Sequence, residues 1–387
     1  MPRWHKQILV MMNNVTIPSS DKLQIIVAGG GTGGHIFPAI AIANAIKARL
    51  PLCEILFVGA KEKMEMEKVP QAGYQIKGLT IAGYNRSSIL KNVTLPFKIV
   101  KSFYEVAQIF KNFTPTLVIG VGGYSSFPVL RYAQARNIPT FIHESNSFAG
   151  RSNILLGKKA TKIFTACTGM EAFFPPEKIV VTGNPVRKNI VDKSASKELA
   201  LNFFGLSQNK KTILSLGGSL GAKSINDAVA ANLTLFSENN LQLIWQTGKP
   251  FSAKAAELSE GFKNVFATDF IMQMDYAYTA ADLIISRSGA MAIAEICVAQ
   301  KPAVLVPYPY AAEDHQTSNA MALVKQNAAI MVKDADAGTA LINTIIGLAK
   351  DDVLQQNMRH SIAKLANTHA DETIANEIIL TLQNNLN

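Results

Sequence analysis

The feature that most constrains the fold is a glycine-rich loop, Gly29 to Gly34, close to the start of the chain. It follows residues 25–28, an apolar and β-branched run typical of a strand buried on both faces. After the loop, Pro38 suits the first turn of a helix, and apolar residues recur at helical spacing. The segment therefore predicts a strand, a glycine loop and a helix. Nucleotide-binding α/β domains begin in this way, with bare N–H groups aimed at a ligand.

The same loop matches G-x-G-x-x-G, the pattern of dinucleotide-binding domains, but this match alone is weak. A dinucleotide site also places Asp or Glu at the end of the second strand, roughly 20 residues further on. The predicted second strand, residues 55–58, runs instead into Gly59, Ala60 and Lys61. The sequence thus disfavours a dinucleotide site, and His35 beside the loop suggests catalysis instead.

Length and charge predict two globular domains, one of them strongly basic. The chain has 387 residues, too many for one core, and is 48% hydrophobic and 17% charged. Residues 1–184 hold 21 Lys/Arg against 9 Asp/Glu, a net charge of +12, whereas residues 185–387 hold 17 against 19, a net charge of −2. The first half therefore suits an anionic partner, either nucleic acid or an anionic membrane surface. Three cysteines without metal-ligand spacing indicate a reducing compartment.

The basic excess is concentrated between Glu67 and Glu105, where six Lys and Arg residues occur without an acid. Residues 84–104 interleave these bases with apolar side chains. Two interpretations stay open: a core helix with solvated lysines, or a patch that dips into lipid. No stretch predicts a membrane-spanning helix. Residues 1–20 predict a loose extension, or a start upstream of Met11 or Met12, and not a signal peptide. The membrane candidates are Ile89, Leu90, Lys91, Phe97, Lys98 and Lys101.

The strand-and-loop pattern recurs and then restarts near residue 185. A second glycine loop begins at Gly122, and a third, residues 217–222, follows a lysine-rich segment at 188–210 that is typical of a linker. Because the carboxyl ends of parallel strands share one edge of a sheet, these loops should line ligand sites. Further strands are predicted at 117–121, 140–143, 163–165, 179–182, 212–216, 243–246, 265–266, 283–286 and 303–307.

We therefore expect an α/β protein of two similar doubly wound parallel-sheet domains that face each other across a cleft. The first domain should span residues 21–184 and the second residues 185–365. Residues 366–387 should include an amphipathic helix, about 371–383, that packs back across the hinge toward the first domain.

Residues 282–295 are the most informative stretch of the second half. A predicted strand delivers Ser-Arg-Ser-Gly, residues 286–289, to the carboxyl edge, where the N-terminus of the next helix suits a diphosphate. Glu295, about two turns into that helix, could hold a ribose diol, although spacing alone favours a solvent-facing glutamate. Residues 313–316 form another polar loop at the same edge, or an ordinary turn with an acidic helix cap.

Together these motifs resemble the MurG family, the glycosyltransferases that add N-acetylglucosamine to lipid I to make lipid II of bacterial peptidoglycan. The resemblance runs from about residue 23 to about residue 380. It departs at Leu220 and at Ser145, where the family usually has Gln. By this resemblance, the first departure would alter a side-chain contact to the donor, whereas the backbone of the loop should be kept. The matching motifs, in order, are Gly29–His35, Gly122–Ser125, His143–Asn146, Gly183–Arg187, Gly217–Ala222, Ser286–Ala290 with Glu295, and Asp314–Gln316.

The resemblance implies the GT-B fold, made of two Rossmann-like domains, with UDP-N-acetylglucosamine held by the second domain. Glu295 would hold the ribose and Ile271 the uracil, while Gly122, Gly123, Tyr124 and Ser125 would lie near the acceptor diphosphate. The remaining donor contacts implied are Ala290, Met291, Ala292, Ile293, Ala294 and Ser219 at the diphosphate; Gln316, Arg187 and Asn146 at the sugar or phosphates; and Thr32, Gly33 and Gly34 from the first domain.

The resemblance also implies partners and a location. The acceptor would be lipid I, and the protein would lie peripherally on the cytoplasmic face of the bacterial cell membrane, against its anionic surface. Other cell-wall synthesis and division proteins would be partners, and no cofactor or metal is expected.

The implied reaction inverts the anomeric centre, because the acceptor 4-hydroxyl attacks from the face opposite UDP. It needs a base and a group that stabilises the leaving diphosphate. Helix N-termini and Arg187 could stabilise the leaving diphosphate without a metal. For the base, His35 and Glu144 both end predicted first-domain strands, and we prefer His35 because its pKa lies near the working range. Asp334 and Asp336 match the D-x-D of metal-dependent transferases, but we interpret them as a helix cap far from the glycine loops.

Two other functional classes stay open. A binding module could use the basic half for nucleic acid, although no nucleic-acid motif is recognisable and the aromatic residues do not form a stacking platform. A nucleotide-sugar epimerase could share the doubled architecture. UDP release with and without a lipid acceptor separates the three classes.

Overall fold

The first domain of the computed structural model is built on seven parallel strands. The structure describes residues 23–83, 95–192, 195–218, 220–311 and 314–386. The strands are β1 (Gln24–Ala28), β2 (Glu54–Ala60), β3 (Gln75–Leu79), β4 (Leu117–Gly120), β5 (Thr140–Glu144), β6 (Lys162–Thr165) and β7 (Ile179–Val181). They form one sheet in the order β3-β2-β1-β4-β5-β6-β7. The order reverses beside β1, so a crevice opens at the carboxyl ends of β1 and β4.

Helices cover both faces of this sheet. Ile25 and Val27 of β1 join the buried cluster on one face, and Ile26 and Ala28 join the cluster on the other. This alternation, with apolar residues at every position, is the pattern that predicted a strand buried on both sides. The helices are α1 (Gly33–Arg49), α2 (Glu65–Gln71), α3 (Leu95–Asn112), α4 (Ser126–Gln134) and α5 (Arg151–Gly157), with short 3₁₀ turns at Met170–Ala172 and Pro176–Lys178.

The second domain repeats this plan with six parallel strands. They are β8 (Lys211–Leu216), β9 (Leu241–Gln246), β10 (Val265–Thr268), β11 (Leu283–Ser286), β12 (Ala303–Leu305) and β13 (Ile330–Met331), in the order β10-β9-β8-β11-β12-β13. The helices are α6 (Lys188–Asp192), α7 (Lys197–Phe203), α8 (Lys223–Ala230), α9 (Leu233–Glu238), α10 (Ser252–Ser259), α11 (Met274–Ala280), α12 (Ala290–Ala299), α13 (His315–Val324), α14 (Ile342–Lys350) and α15 (Asp352–Ala363). A π-helical turn spans Ala337–Leu341, and 3₁₀ turns span Lys249–Phe251 and Asp334–Asp336.

The architecture confirms the predicted α/β fold of two Rossmann-like parallel-sheet domains. Two local predictions were wrong. Helix α1 begins at Gly33, which places Pro38 in its second turn. Residues 188–210 are not a plain linker, because α6 and α7 lie there and Ala200 and Leu201 are buried in the second core. Several predictions fall outside the described residues: the extension at 1–20, the membrane candidates Ile89, Leu90 and Lys91, the donor contact Ser219, and Glu313 of the polar loop.

The last helix, α16 (Ala370–Leu386), returns from the second half of the sequence to the first domain. Ile374, Ala375 and Ile378 are buried in the first-domain core that α1 also covers. Arg49 of α1 donates a hydrogen bond from Nε to Asn376 Oδ1 at 2.6 Å. Within the described part of the chain, no helix combines the length and apolar character needed to cross a membrane.

Candidate active site

The carboxyl edges of the two sheets face each other across a cleft of about 1280 Å³. Both domains contribute glycine loops to its walls, because each loop follows the carboxyl end of a strand. Predicted site residues that line the cleft are Thr32, Gly33, Gly34, His35, Asn146, Arg187, Ala290, Met291, Ala292, Glu295 and Gln316. Leu220 and Ser145, the two departures from the family pattern, also line it.

The N-terminus of α12 points into the second-domain side of the cleft. Strand β11 ends at Ser286, Gly289 is the N-cap, and the helix begins at Ala290. The first N–H groups of a helix have no partner within the helix and carry its positive dipole end, so this terminus suits a diphosphate. The N–H of Ile293 already donates to the Gly289 carbonyl at 3.0 Å. Ile293 and Ala294 line a smaller cavity of about 320 Å³ instead of the cleft. The available donors are therefore those of Ala290 to Ala292.

Glu295 is buried, not solvent-facing as its spacing alone suggested. Only 7% of the residue is exposed. Its Oε1 accepts hydrogen bonds from Arg187 Nε at 3.0 Å and Nη2 at 2.9 Å, and its Oε2 accepts one from Tyr278 Oη at 3.0 Å. Burial, and then the Glu295 carboxylate, raise the pKa of Tyr278 well above its usual value, so the phenol keeps its proton. Sequence spacing could not reveal this burial, because Arg187 and Tyr278 come from other helices and loops.

Arg187 also connects the two domains. Its guanidinium lies over the ring of Phe37 in α1, with 4.5 Å between the guanidinium carbon and the ring centroid. The arginine is thus held by the second-domain carboxylate Glu295 and by a first-domain aromatic face. Both contacts hold the guanidinium in place at the wall of the cleft.

Two predicted donor contacts, Ile271 and Gln316, already have partners within the protein. Ile271 has a side chain buried in the second-domain core, and its N–H donates to Gln246 Oε1 at 3.0 Å. A contact between Ile271 and the uracil would therefore use the carbonyl oxygen of Ile271. Gln316 lies at the cleft wall, where its Oε1 accepts a hydrogen bond from the Tyr308 N–H at 3.0 Å.

His35 lies in the first turn of α1, directly after the first glycine loop, so the prediction that it ends a strand was wrong. Its Nδ1 is 3.1 Å from the carbonyl oxygen of Gly30. A carbonyl only accepts, so Nδ1 carries the proton and Nε2 holds a free lone pair. Burial lowers the pKa of His35, while Glu144, the Gly30 hydrogen bond and Glu65 act in the opposite direction. The imidazole is therefore neutral at physiological pH and can accept a proton at Nε2.

The Glu144 carboxylate accepts four hydrogen bonds. Its Oε1 accepts from the N–H and the side-chain amide of Asn146, at 3.1 and 3.2 Å, and its Oε2 accepts from Gly150 N–H and Asn153 Nδ2, at 3.0 and 2.8 Å. These bonds fold the loop that follows β5 and place Asn146 at the cleft. Because four donors occupy the carboxylate, the geometry favours His35 over Glu144 as the base.

The second glycine loop interlocks with the first. A Cβ on Gly122 would lie 2.9 Å from the His35 ring, and one on Gly123 would lie 2.3 Å from the Gly30 carbonyl oxygen. Both glycines have positive φ, 92° and 85°. The loop thus places Gly122 against Nε2 of the imidazole. Tyr124 is exposed, whereas Ser125 is buried and its Oγ has no hydrogen-bond partner among the described residues.

Sequence reasoning missed the cluster at Asp334, and the prediction of a helix cap far from the glycine loops was wrong. Lys333, not Asp334, is the N-cap of the 3₁₀ turn. Asp334 forms an ion pair with Arg287 and accepts a hydrogen bond from Ser224, in the helix after the third glycine loop. A cation thus occupies the carboxylate, and no group of metal-ligating side chains occurs in the described part of the chain.

Sequence reasoning also missed Glu65, whose carboxylate contacts the first glycine loop. The N–H of Gly31 donates to Glu65 Oε2 at 2.9 Å. The expectation that the loop presents only bare N–H groups was therefore wrong at this position. A carboxylate here repels a phosphate, so the first loop differs from the phosphate cradles of dinucleotide-binding domains.

Profiles of known families match both domains. The N-terminal domain of glycosyltransferase family 28 matches residues 25–165, and the C-terminal domain of that family matches residues 212–376. The chain is 51% identical over 361 residues to a protein of Phocaeicola vulgatus and 49% identical over 360 residues to one of Parabacteroides distasonis. The alignments cover 92% of this chain and 96% and 98% of those proteins. Both relatives are named UDP-N-acetylglucosamine--N-acetylmuramyl-(pentapeptide) pyrophosphoryl-undecaprenol N-acetylglucosamine transferase.

Solved structures share the fold. MurG of Acinetobacter baumannii superposes with a TM-score of 0.69 at 26% identity, over 93% of this chain and 99% of that chain. A UDP-N-acetylglucosamine 2-epimerase superposes with a TM-score of 0.63 at 12% identity, over 94% of this chain and 97% of that chain, a likeness that shows the fold alone. Because the family profiles match both domains and the curated relatives align with nearly the whole chain, the chain belongs to glycosyltransferase family 28.

Proposed function

We propose that the protein transfers N-acetylglucosamine from UDP-N-acetylglucosamine to the 4-hydroxyl of the N-acetylmuramyl sugar of a pyrophosphoryl-undecaprenol acceptor, the step that makes lipid II. The names of the relatives supply the substrates. The observation that carries the proposal is the arrangement across the cleft. A neutral histidine with a free Nε2 in the first domain faces a helix N-terminus and a buried carboxylate in the second.

The second domain suits the nucleotide sugar. Glu295 is positioned to accept a hydrogen bond from the ribose, and the N–H groups of Ala290 to Ala292 are positioned to bind the diphosphate. Gln316 and Asn146 lie at the walls on opposite domains, where the sugar would extend toward the acceptor. The donor would therefore bridge the cleft.

The reaction then needs one proton transfer. The acceptor hydroxyl gives its proton to His35 Nε2 while its oxygen bonds to the anomeric carbon, and the bond between that carbon and the UDP oxygen breaks. Attack from the first-domain side and departure toward α12 invert the anomeric centre. The negative charge that develops on UDP is stabilised by the α12 N-terminus, with Arg187 close by. Loop 122–125 lies against the base, and the resemblance to the family implies that the acceptor diphosphate binds beside this loop.

A membrane surface fits the exposed side of α3. Phe97, Val100 and Tyr104 are 77%, 70% and 66% exposed and recur at helical spacing, so they form one apolar stripe. Val106 and Phe110 of the same helix are buried, so α3 also serves as a core helix. Lys98 and Lys101 each follow a residue of the stripe in the sequence and belong to the basic domain. We propose that this stripe contacts the anionic cytoplasmic face of the bacterial cell membrane, where a polyprenyl acceptor resides.

Vesicle sedimentation tests the membrane contact. Replacing Phe97, Val100 and Tyr104 together by Ser should release the protein from anionic vesicles. Replacing Leu52 by Ser is the matched control, because Leu52 is 86% exposed on the same domain outside the stripe. Equal retention of both variants on the vesicles would exclude this face. Turnover with a short-chain, water-soluble acceptor should remain unchanged in both.

The transferase assay separates the functional classes. UDP release from UDP-N-acetylglucosamine should depend on a polyprenyl-diphosphate N-acetylmuramyl acceptor. Acceptor-independent release, with conversion of the sugar to its 2-epimer, would instead support the epimerase class. Absence of turnover together with nucleic-acid binding would support the binding class.

A further inference from the structure

Glu65 is a buried carboxylate between the second strand and the first glycine loop. It is 1% exposed and starts α2. Its Oε1 accepts a hydrogen bond from the Ala60 N–H at 2.9 Å, and its Oε2 accepts one from the Gly31 N–H at 2.9 Å. The carboxylate thus joins the end of β2 to the loop that precedes His35.

The peptide unit between Gly30 and Gly31 connects this carboxylate to the imidazole. Its N–H belongs to Gly31 and donates to Glu65, and its C=O belongs to Gly30 and accepts from His35 Nδ1 at 3.1 Å. In a trans peptide these two groups point in opposite directions, and no peptide bond among the described residues is cis. One amide plane therefore lies between the negative charge and the histidine.

The surrounding backbone is shaped around the carboxylate. A Cβ on Gly30 would lie 2.3 Å from Glu65 Oε1, and a Cβ on Gly59 would lie 2.5 Å from Glu65 Cγ. Gly30 also has a φ of +148°. Only glycine at these two positions, one in the loop and one in β2, leaves room for the Glu65 side chain.

We propose that Glu65 is a positioning residue for the base, acting on His35 through the Gly30–Gly31 peptide. The negative charge polarises the peptide, which makes the Gly30 oxygen a stronger acceptor for Nδ1–H. That hydrogen bond fixes the tautomer and stabilises the imidazolium that forms when Nε2 takes a proton. A carboxylate bonded directly to the imidazole does the same in Ser-His-Asp triads. The inference rests on the proposed function, since it assigns Glu65 to the proton transfer of that reaction.

Other charged and titratable groups face the same imidazole. Glu144 and the buried His143, both from β5, lie close to His35. Burial lowers the pKa of His143 to about 4, so it is neutral at physiological pH. Glu144 raises the pKa of His35 and would continue to do so in a Glu65 variant. Loss of the Glu65 charge should therefore lower the pKa of His35 further, while the Glu144 charge still raises it.

Histidine NMR tests the inference without relying on activity. In the wild-type enzyme at pH 8, ¹⁵N shifts should show His35 protonated at Nδ1 and unprotonated at Nε2. In Glu65→Gln, the pKa of His35 should fall, whereas Glu67→Gln, an exposed neighbour on the same helix, should leave it unchanged. His35→Gln assigns the signal among the six histidines of the chain. A His35 protonated at Nε2 in the wild type, or an unchanged pKa in Glu65→Gln, would overturn the proposal.

A kinetic cycle gives the second readout. Glu65→Gln should lower kcat by about 10- to 100-fold, with the donor KM unchanged; losses of this size are typical when a metal-ligating histidine loses the partner that orients it. The acidic limb of its pH profile should move to lower pH. In the His35→Gln background the same change should have almost no effect, because the two residues act as one unit. An equal loss of kcat in both backgrounds would show that Glu65 has a purely structural role and would refute its action through His35.

The two kinds of failure are distinguishable. If the NMR results hold but no transfer to the acceptor occurs, the effect of Glu65 on His35 stands and the proposed reaction is wrong. If transfer occurs but the pKa of His35 does not depend on Glu65, the reaction stands and the role of Glu65 is wrong. Should Glu65→Gln fail to fold, a wild-type His35 protonated at Nε2 would still overturn the proposal.

Discussion

Replacing Glu295 by Gln should abolish recognition of the ribose diol. A carboxylate offers about four lone-pair sites. Arg187 uses two at Oε1 and Tyr278 uses one at Oε2, so one site at Oε2 is left for a hydroxyl. The donor therefore gains one charge-assisted hydrogen bond there, which contributes about 1.5–3 kcal/mol. This corresponds to about a 10- to 150-fold difference in the dissociation constant, at 1.4 kcal/mol per factor of ten.

Calorimetry with UDP and 2′,3′-dideoxy-UDP isolates this contact. The wild type should bind UDP more tightly than the dideoxy analogue by that factor. Glu295→Gln should bind both ligands alike, with an affinity near that of the wild type for the analogue. Tyr278→Phe is the matched control: it removes a neighbouring hydroxyl but leaves the carboxylate, so discrimination should persist. If Glu295→Gln still preferred UDP by the wild-type factor, Glu295 would not hold the ribose.

Four further predictions follow from the same geometry. Transfer should survive EDTA, because Arg287 occupies Asp334 and helix N–H groups replace a metal; complete loss that Mg²⁺ or Mn²⁺ restores would contradict this. His35→Gln should lower kcat by about 10²- to 10⁴-fold. In the wild type, activity should fall only when the pH drops through the lowered pKa of His35, which lies below the usual 6.5. A rate that did not change down to pH 4 would exclude His35 as the base. Gly122→Ala should reduce kcat without weakening donor binding, because its Cβ would lie 2.9 Å from the imidazole. Gly169→Ala, which has a similar φ of +83° but no neighbour within 4 Å, should leave kcat unchanged.

The fold was predictable because its signals are local. A strand buried on both faces is apolar throughout, and a glycine loop after it marks the strand end, so β1 and α1 could be located from residues 25–46 alone. The repetition of this pattern at residue 212 predicted the second domain. The start of α1 was misplaced, because the backbone conformation at the glycine loop, not Pro38, sets where the helix begins.

The site was predictable only where a family motif marks it. Spacing could not show that Glu295 is buried, since its burial depends on Arg187, which lies 108 residues earlier in the chain. Glu65 lies in a stretch rich in Lys and Glu that looks solvent-exposed. The available signal was Gly59, because glycine inside a strand marks the close approach of another group. Asp334 was misassigned because Arg287 and Ser224 reach it from distant elements.

The structure of the transfer product tests the central claim most directly. Incubation of the protein with UDP-N-acetylglucosamine and a short-chain polyprenyl-diphosphate N-acetylmuramyl acceptor should yield one disaccharide. The coupling constant of its new anomeric proton in NMR should show a β linkage, and the attachment should be at the 4-hydroxyl. An α linkage would contradict inversion by the His35 base, and recovery of unattached 2-epimerised sugar with no disaccharide would contradict the transferase itself.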